Sequence, residues 1–73
     1  MEYVIVVFSE KRRVLMDGSD IGETGDTLQV ETGTHDFSLS GLHDYRPVHQ
    51  QLAVHNTNPI IPLDILFVKK GAS

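Results

Sequence analysis

The chain contains no cysteine and no tryptophan. Neither a disulfide nor a thiolate metal site can therefore reinforce its core, although this leaves the redox compartment open. Basic residues are also scarce over most of its length. Between residues 14 and 68 the only base is Arg46, set against eight acids. The net charge is −4, which argues against nucleic acid as a partner, because Lys and Arg must neutralise phosphates. Long apolar runs are missing too: nothing approaches the ~20 residues of a helical membrane span. The opening run Met1–Phe8 is too short for a signal-peptide core and carries Glu2 where a basic flank is expected. These features lead to the expectation of a cytoplasmic location if the chain is a whole gene product, an expectation that lapses if it is excised from a larger one.

What is present is a rhythm of short alternating segments broken by glycine. Its 73 residues make a single domain over 1–70, with 71–73 expected as a mobile tail. Tyr3 to Phe8 is a β-branched and aromatic run that reads as a strand covered on both faces. Polar Ser9-Glu10-Lys11-Arg12 suits a hairpin connection into Arg13–Met16. Asp17-Gly18 then supplies the positive φ angles of a tight turn. Ile21-Gly22 forms a short third strand ended at Gly25-Asp26, and Thr27 to Glu31 alternates with Leu28 and Val30 on one face. From Thr34 to Ser40 the period of two is clear: His35, Phe37 and Leu39 share one face.

Tyr45-Arg46-Pro47 opens the sixth segment, and Val48, Leu52 and Val54 recur on one of its faces. Asn56-Thr57-Asn58-Pro59 is a turn by composition. Ile60 to Val68 is expected as the last strand, with Leu63, Ile65 and Phe67 facing the core and Pro62 marking a sheet edge. No stretch carries a helical period. The reading is all-β: a small, mostly antiparallel β-sandwich of about seven short strands, immunoglobulin-like in architecture. The two apolar terminal strands either pair with each other or sit centrally.

Residues 14 to 55 resemble the PEGA domain, a small β-sandwich module of bacterial and archaeal proteins. The resemblance rests on Val14-Leu15-Met16-Asp17-Gly18, Ile21-Gly22-Glu23-Thr24, Thr27-Leu28, Gly33-Thr34-His35-Asp36-Phe37-Ser38-Leu39 and Tyr45-Arg46-Pro47. Gly25, Thr32 and Asp44 stand where that family usually has proline, proline and glycine. These departures change turn stiffness more than strand pattern. The resemblance implies a binding or spacer module, often tied to cell-envelope proteins, without a common activity.

Candidate chemistry is sparse. His49 and His55 share a strand face six residues apart, roughly 20 Å at a strand's rise, so they cannot share an ion. His35 reads as a partly buried, hydrogen-bonded residue of the fold. Asp17, Asp20, Glu23 and Asp26 recur every three residues; turn chemistry accounts for them, against a weak cation site. Ser40, His43 and Asp44 have the residue types of a triad but no oriented nucleophile or oxyanion hole. Neither a cofactor nor a metal is implied, and the chain is expected to be noncatalytic.

The surface offers more. Five of the six bases are Lys11, Arg12, Arg13, Lys69 and Lys70, either a basic patch or a solvated hairpin tip and tail. Tyr45 beside Arg46 either anchors an interface or folds back to hydrogen-bond a loop backbone. The candidate partner-binding surface is therefore Tyr45, Arg46, Lys11, Arg12 and Arg13. The expected function is protein–protein contact, including a homodimer through an edge strand. A carbohydrate or cell-envelope ligand is the alternative, and its aromatic platform would have to come from five rings.

Overall fold

A computed structural model describes residues 1–70; the expected tail at 71–73 lies outside the described residues. Alternation becomes nine strands: β1 (Glu2–Val7), β2 (Arg13–Met16), β3 (Ser19–Glu23), β4 (Thr27–Val30), β5 (Gly33–Leu39), β6 (Tyr45–Arg46), β7 (Gln50–Val54), β8 (Leu63–Leu66) and β9 (Val68–Lys69). Among the described residues there is no helix, and so none long and apolar enough to cross a membrane.

The strands form a small β-sandwich. One sheet has the order β4-β1-β8, the other β3-β2-β5-β7, and β6 and β9 make a two-stranded ribbon. Pairing is antiparallel except between β1 and β8, which run parallel in the register Val4↔Leu63 to Val7↔Leu66. The apolar terminal segments thus do both things the sequence left open: they pair, and β1 is central. The expectation that this run is covered on both faces holds for one of them only: Val4 and Val6 are buried, whereas Tyr3 and Ile5 on the other face are half-buried and Val7 is exposed.

Side chains of alternating positions meet between the sheets. Val4 and Val6 of β1, Leu28 and Val30 of β4 and Ile65 of β8 face Val14 of β2, Phe37 and Leu39 of β5 and Val54 of β7. Tyr45 and Phe67 close one end of this core. At Asp17-Gly18 the φ angles are 53° and 85° and Met16 pairs with Ser19, a two-residue hairpin whose twist matches its strands. In β3 the register slips at Ile21, between the pairs Val14↔Gly22 and Leu15↔Asp20. Gly22 sits beside this bulge at φ 153°, where a Cβ would collide with Leu28 Cδ2.

Three expectations change. Ser9–Arg12 is not a hairpin connection: β1 pairs with β4 and β8, β2 with β3 and β5, so this segment crosses from one sheet to the other. Both edges of β1 are already taken, one by β4 and the other by β8, so β2 has no place beside it. The sixth and seventh expected strands each divide in two, which gives nine strands rather than about seven. Pro47 lacks a ladder donor and separates β6 from β7, leaving Val48 exposed rather than on an inward face. Ile60 and Ile61 are not strand at all. Asn58 Oδ1 accepts from both Ile60 N and Ile61 N at 2.9 Å, and this turn, flanked by Pro59 and Pro62, holds both isoleucines in solvent.

Candidate partner-binding surface

Lys11, Arg12 and Arg13 leave β1 and enter β2 at the sheet-to-sheet crossover. Arg12 is drawn inward. Its guanidinium donates to Asp44 Oδ1 at 2.8 Å, Asp44 Oδ2 at 3.2 Å, Glu10 Oε1 at 2.7 Å and the Leu42 carbonyl at 3.1 Å. It also lies 5.2 Å from the Phe8 ring centroid, leaving the side chain 15% exposed. Lys69 Nζ reaches Glu10 at 2.9 Å, so two cations and two carboxylates tie the crossover to the loop before β6 and to β9. The hydrogen bond from Arg12 holds the Asp44 carboxyl below its usual range, and those from Lys69 and Arg12 do the same for Glu10.

Arg13 forks onto Asp20 across the β2–β3 pair, with its closest contact at 2.8 Å, and Lys11 lies 3.8 Å from Asp26. Both pairs are solvent-exposed and contribute little. Most of the expected basic patch is therefore neutralised within the chain; among the described residues Arg46 and Lys70 are exposed and without an ion pair.

Tyr45 is a core residue, 1% exposed. Its hydroxyl donates to the Leu39 carbonyl at 2.9 Å and accepts from Leu39 N at 3.3 Å, while Phe8, Phe67 and His43 stand edge-on to its ring. It folds back onto the loop backbone and does not present a surface anchor. Of the five expected surface residues, Arg12 and Tyr45 are thus turned into the fold, and Lys11, Arg13 and Arg46 remain outside.

The histidines and acids separate into local pairs. His35 contacts Asp17 Oδ2 through Nδ1 and the Glu31 carbonyl through Nε2, both at 2.8 Å. Asp17 Oδ1 accepts from Asp36 N at 2.9 Å, and Asp36 Oδ1 contacts His49 Nδ1 at 2.8 Å. Among the described residues no group of three or more His, Asp or Glu converges on one point, and no cleft opens in the surface. Asp44 is held by Arg12, and His43 stacks edge-on to Tyr45, so neither orients the other.

The exposed surface that sequence reasoning missed is apolar. Val7, Leu42, Val48, Ile60, Ile61, Leu66 and Val68 are bare, with Ile60 at 89% and Ile61 at 70%. Four of these gather at one end of the sandwich. Val7 is the register partner of Leu66, Val68 pairs with Arg46, and Gln50 Nε2 donates to the Leu66 carbonyl. Val48 lies between those last two links. The Gln50 bond also shows that β7 and β8, each an outer strand of its sheet, lie on the same side of the sandwich. Two prolines within the four residues Pro59-Ile60-Ile61-Pro62 were the available signal for the bare isoleucines.

No family model matches the chain, and no curated protein or solved structure matches it.

Proposed function

We infer that this domain is a noncatalytic module that works through protein–protein contact along its open β7–β8 side. The observation that carries this reading is the bare aliphatic surface on that side. Val48, Leu66 and Val68 stand exposed at one end, and Ile60 and Ile61 in the loop that joins β7 to β8. Aliphatic side chains left bare on a small domain, three at one end of this side and two in the loop at the other, mark a surface that another molecule covers. The isoleucine loop is held by Asn58 and flanked by two prolines, so docking would order little that is not already ordered.

The PEGA-like motifs at Val14–Gly18, Ile21–Thr24 and Gly33–Leu39 support the same class of role, since that family supplies binding or spacer modules. A protein partner is favoured over a glycan because all five aromatic rings are buried or half-buried, which leaves no flat aromatic platform facing solvent. Light scattering over a concentration series tests the reading. The expected result is a dimer at micromolar concentration that Leu66→Ser together with Val48→Ser weakens. A particle that stays monomeric at the highest attainable concentration would count against it.

A further inference from the structure

The sandwich has four outer strands, and three of them are blunted. β3 is bulged at Ile21, carries Asp20 and Glu23 and contains Gly22. β4 is four residues long and lies between Asp26 and Glu31. β8 starts behind Pro62, carries Asp64, and has its Leu66 carbonyl occupied by the Gln50 amide. Carboxylates, bulges, prolines and short length are the devices that discourage strand addition. β7, Gln50-Gln51-Leu52-Ala53-Val54, has none of them: five residues in unbroken register with β5, without charge, proline or glycine.

We propose that the outer edge of β7 pairs antiparallel with β7 of a second copy of this chain, about a two-fold axis at Leu52. This inference rests on the protein-contact reading above and names its occupant. Charge leaves β7 as the edge that a second copy can use, and the match of the bare aliphatics about the same axis argues for that occupant. The chain carries a net −4, and at each of the other three edges a copy would bring carboxylates against carboxylates, whereas at β7 it brings none. The two-fold register is fixed by overlap. A symmetric antiparallel pair places some residue opposite itself, and only Leu52 in that position pairs all five residues of both strands. Gln51 then lies opposite Ala53 of the other copy, both exposed, and Gln50 opposite Val54.

The bare aliphatics fit the same axis. β7 leads out of Val54 into the loop bearing Ile60 and Ile61, while Val48 and Leu66 lie at its Gln50 end. Antiparallel pairing sets the isoleucine end of one copy beside the Val48 and Leu66 end of the other, twice over. The exposed apolar groups of the β7–β8 side thus cover each other, and the two four-stranded sheets join into one of eight strands.

Light scattering on designed pairs tests the arrangement, with circular dichroism to confirm that each variant folds. Gln51→Lys with Ala53→Lys sets lysine opposite lysine at exposed positions, and the dimer dissociation constant should rise at least about tenfold. Gln51→Lys with Ala53→Glu sets opposite charges across the axis, and the dimer should be retained. Thr27→Lys with Gln29→Lys on β4 should leave it unchanged. The edge assignment is overturned if the double-lysine variant of β7 dimerises as tightly as the parent, or if the β4 variant is the one that dissociates. Failure of the lysine–glutamate variant to dimerise overturns the register. In those cases the parent is still a dimer and the protein-contact reading stands. A parent chain that never dimerises removes both.

Discussion

Apart from the Tyr45 hydroxyl, Thr24 carries the one buried polar side chain among the described residues, and its removal has a calculable cost. It fastens the crossover between the sheets, a segment without ladder partners of its own. Thr24 N donates to the Arg12 carbonyl at 2.9 Å, Arg12 N donates to Thr24 Oγ1 at 3.0 Å, and Oγ1 donates to the Glu10 carbonyl at 3.0 Å. Thr24→Val keeps the side-chain volume but deletes both bonds to Oγ1. Each is worth about 1 kcal/mol net, and leaving a half-buried Arg12 N–H without an acceptor keeps the total near 2 kcal/mol. Thr24→Ser keeps the oxygen and loses one methyl, about 0.8 kcal/mol. For a domain of this size 1 kcal/mol moves Tm by about 4–8 °C. The valine variant should therefore melt roughly 10 °C below the parent and the serine variant within about 6 °C. Melts must be run at one protein concentration, since association also raises Tm. A valine variant that melts at or above the serine variant would refute the assignment of the crossover's stability to this hydroxyl.

Three further predictions rest on other contacts. Glu2 accepts from Thr57 Oγ1, Thr32 Oγ1 and Thr57 N, which lowers its pKa from 4.5 to about 2. Because the folded value is depressed, its stabilisation is complete above pH ~4.5 and lost as pH falls toward about 2, and in acid titration monitored by circular dichroism Glu2→Gln should flatten that limb. His35 has both ring nitrogens against acceptors, and a neutral imidazole has one N–H, so the cation satisfies the site. The bond to Asp17 and then that to the Glu31 carbonyl raise its pKa against the opposing effect of burial. That contribution is full below pH ~6.5 and lost as pH rises through the elevated folded value; a proton-detected titration of His35 with a midpoint below that of a free imidazole would contradict it. Gly22→Ala combines a positive φ with a Cβ against the buried Leu28, and chemical denaturation should show a loss of about 1–3 kcal/mol. A loss below about 0.5 kcal/mol would mean the bulge relaxes freely.

The strands were legible where one face is buried and the other wet. Leu28 and Val30, and His35, Phe37 and Leu39, announce their faces by alternation, and Asp17-Gly18 announces its turn. Pairing partners were less so. Nothing local to Ser9–Arg12 says whether its strands meet or part, because that depends on β8 arriving from the far end of the chain to take the place beside β1. Charge was readable as composition but not as surface. The run Lys11-Arg12-Arg13 looks like a patch until Asp44, Glu10 and Asp20 come from elsewhere to occupy it. Tyr45 shows the reverse: its burial depends on a Leu39 backbone six residues away and on rings from both termini. The apolar surface was hidden by its own chemistry, since the exposed Ile60 and Ile61 read as the opening of the last strand, and Pro62 alone marked that opening only as a sheet edge.

Backbone amide spectra recorded on an isotope-labelled sample from dilute to concentrated test most directly whether the open side is where this domain meets its partner copy. Shifts should concentrate at Gln50–Val54, with Ile60 and Ile61 moving in step. Spectra that do not change with concentration, or changes confined to Lys11, Arg13 and Arg46, would contradict the account.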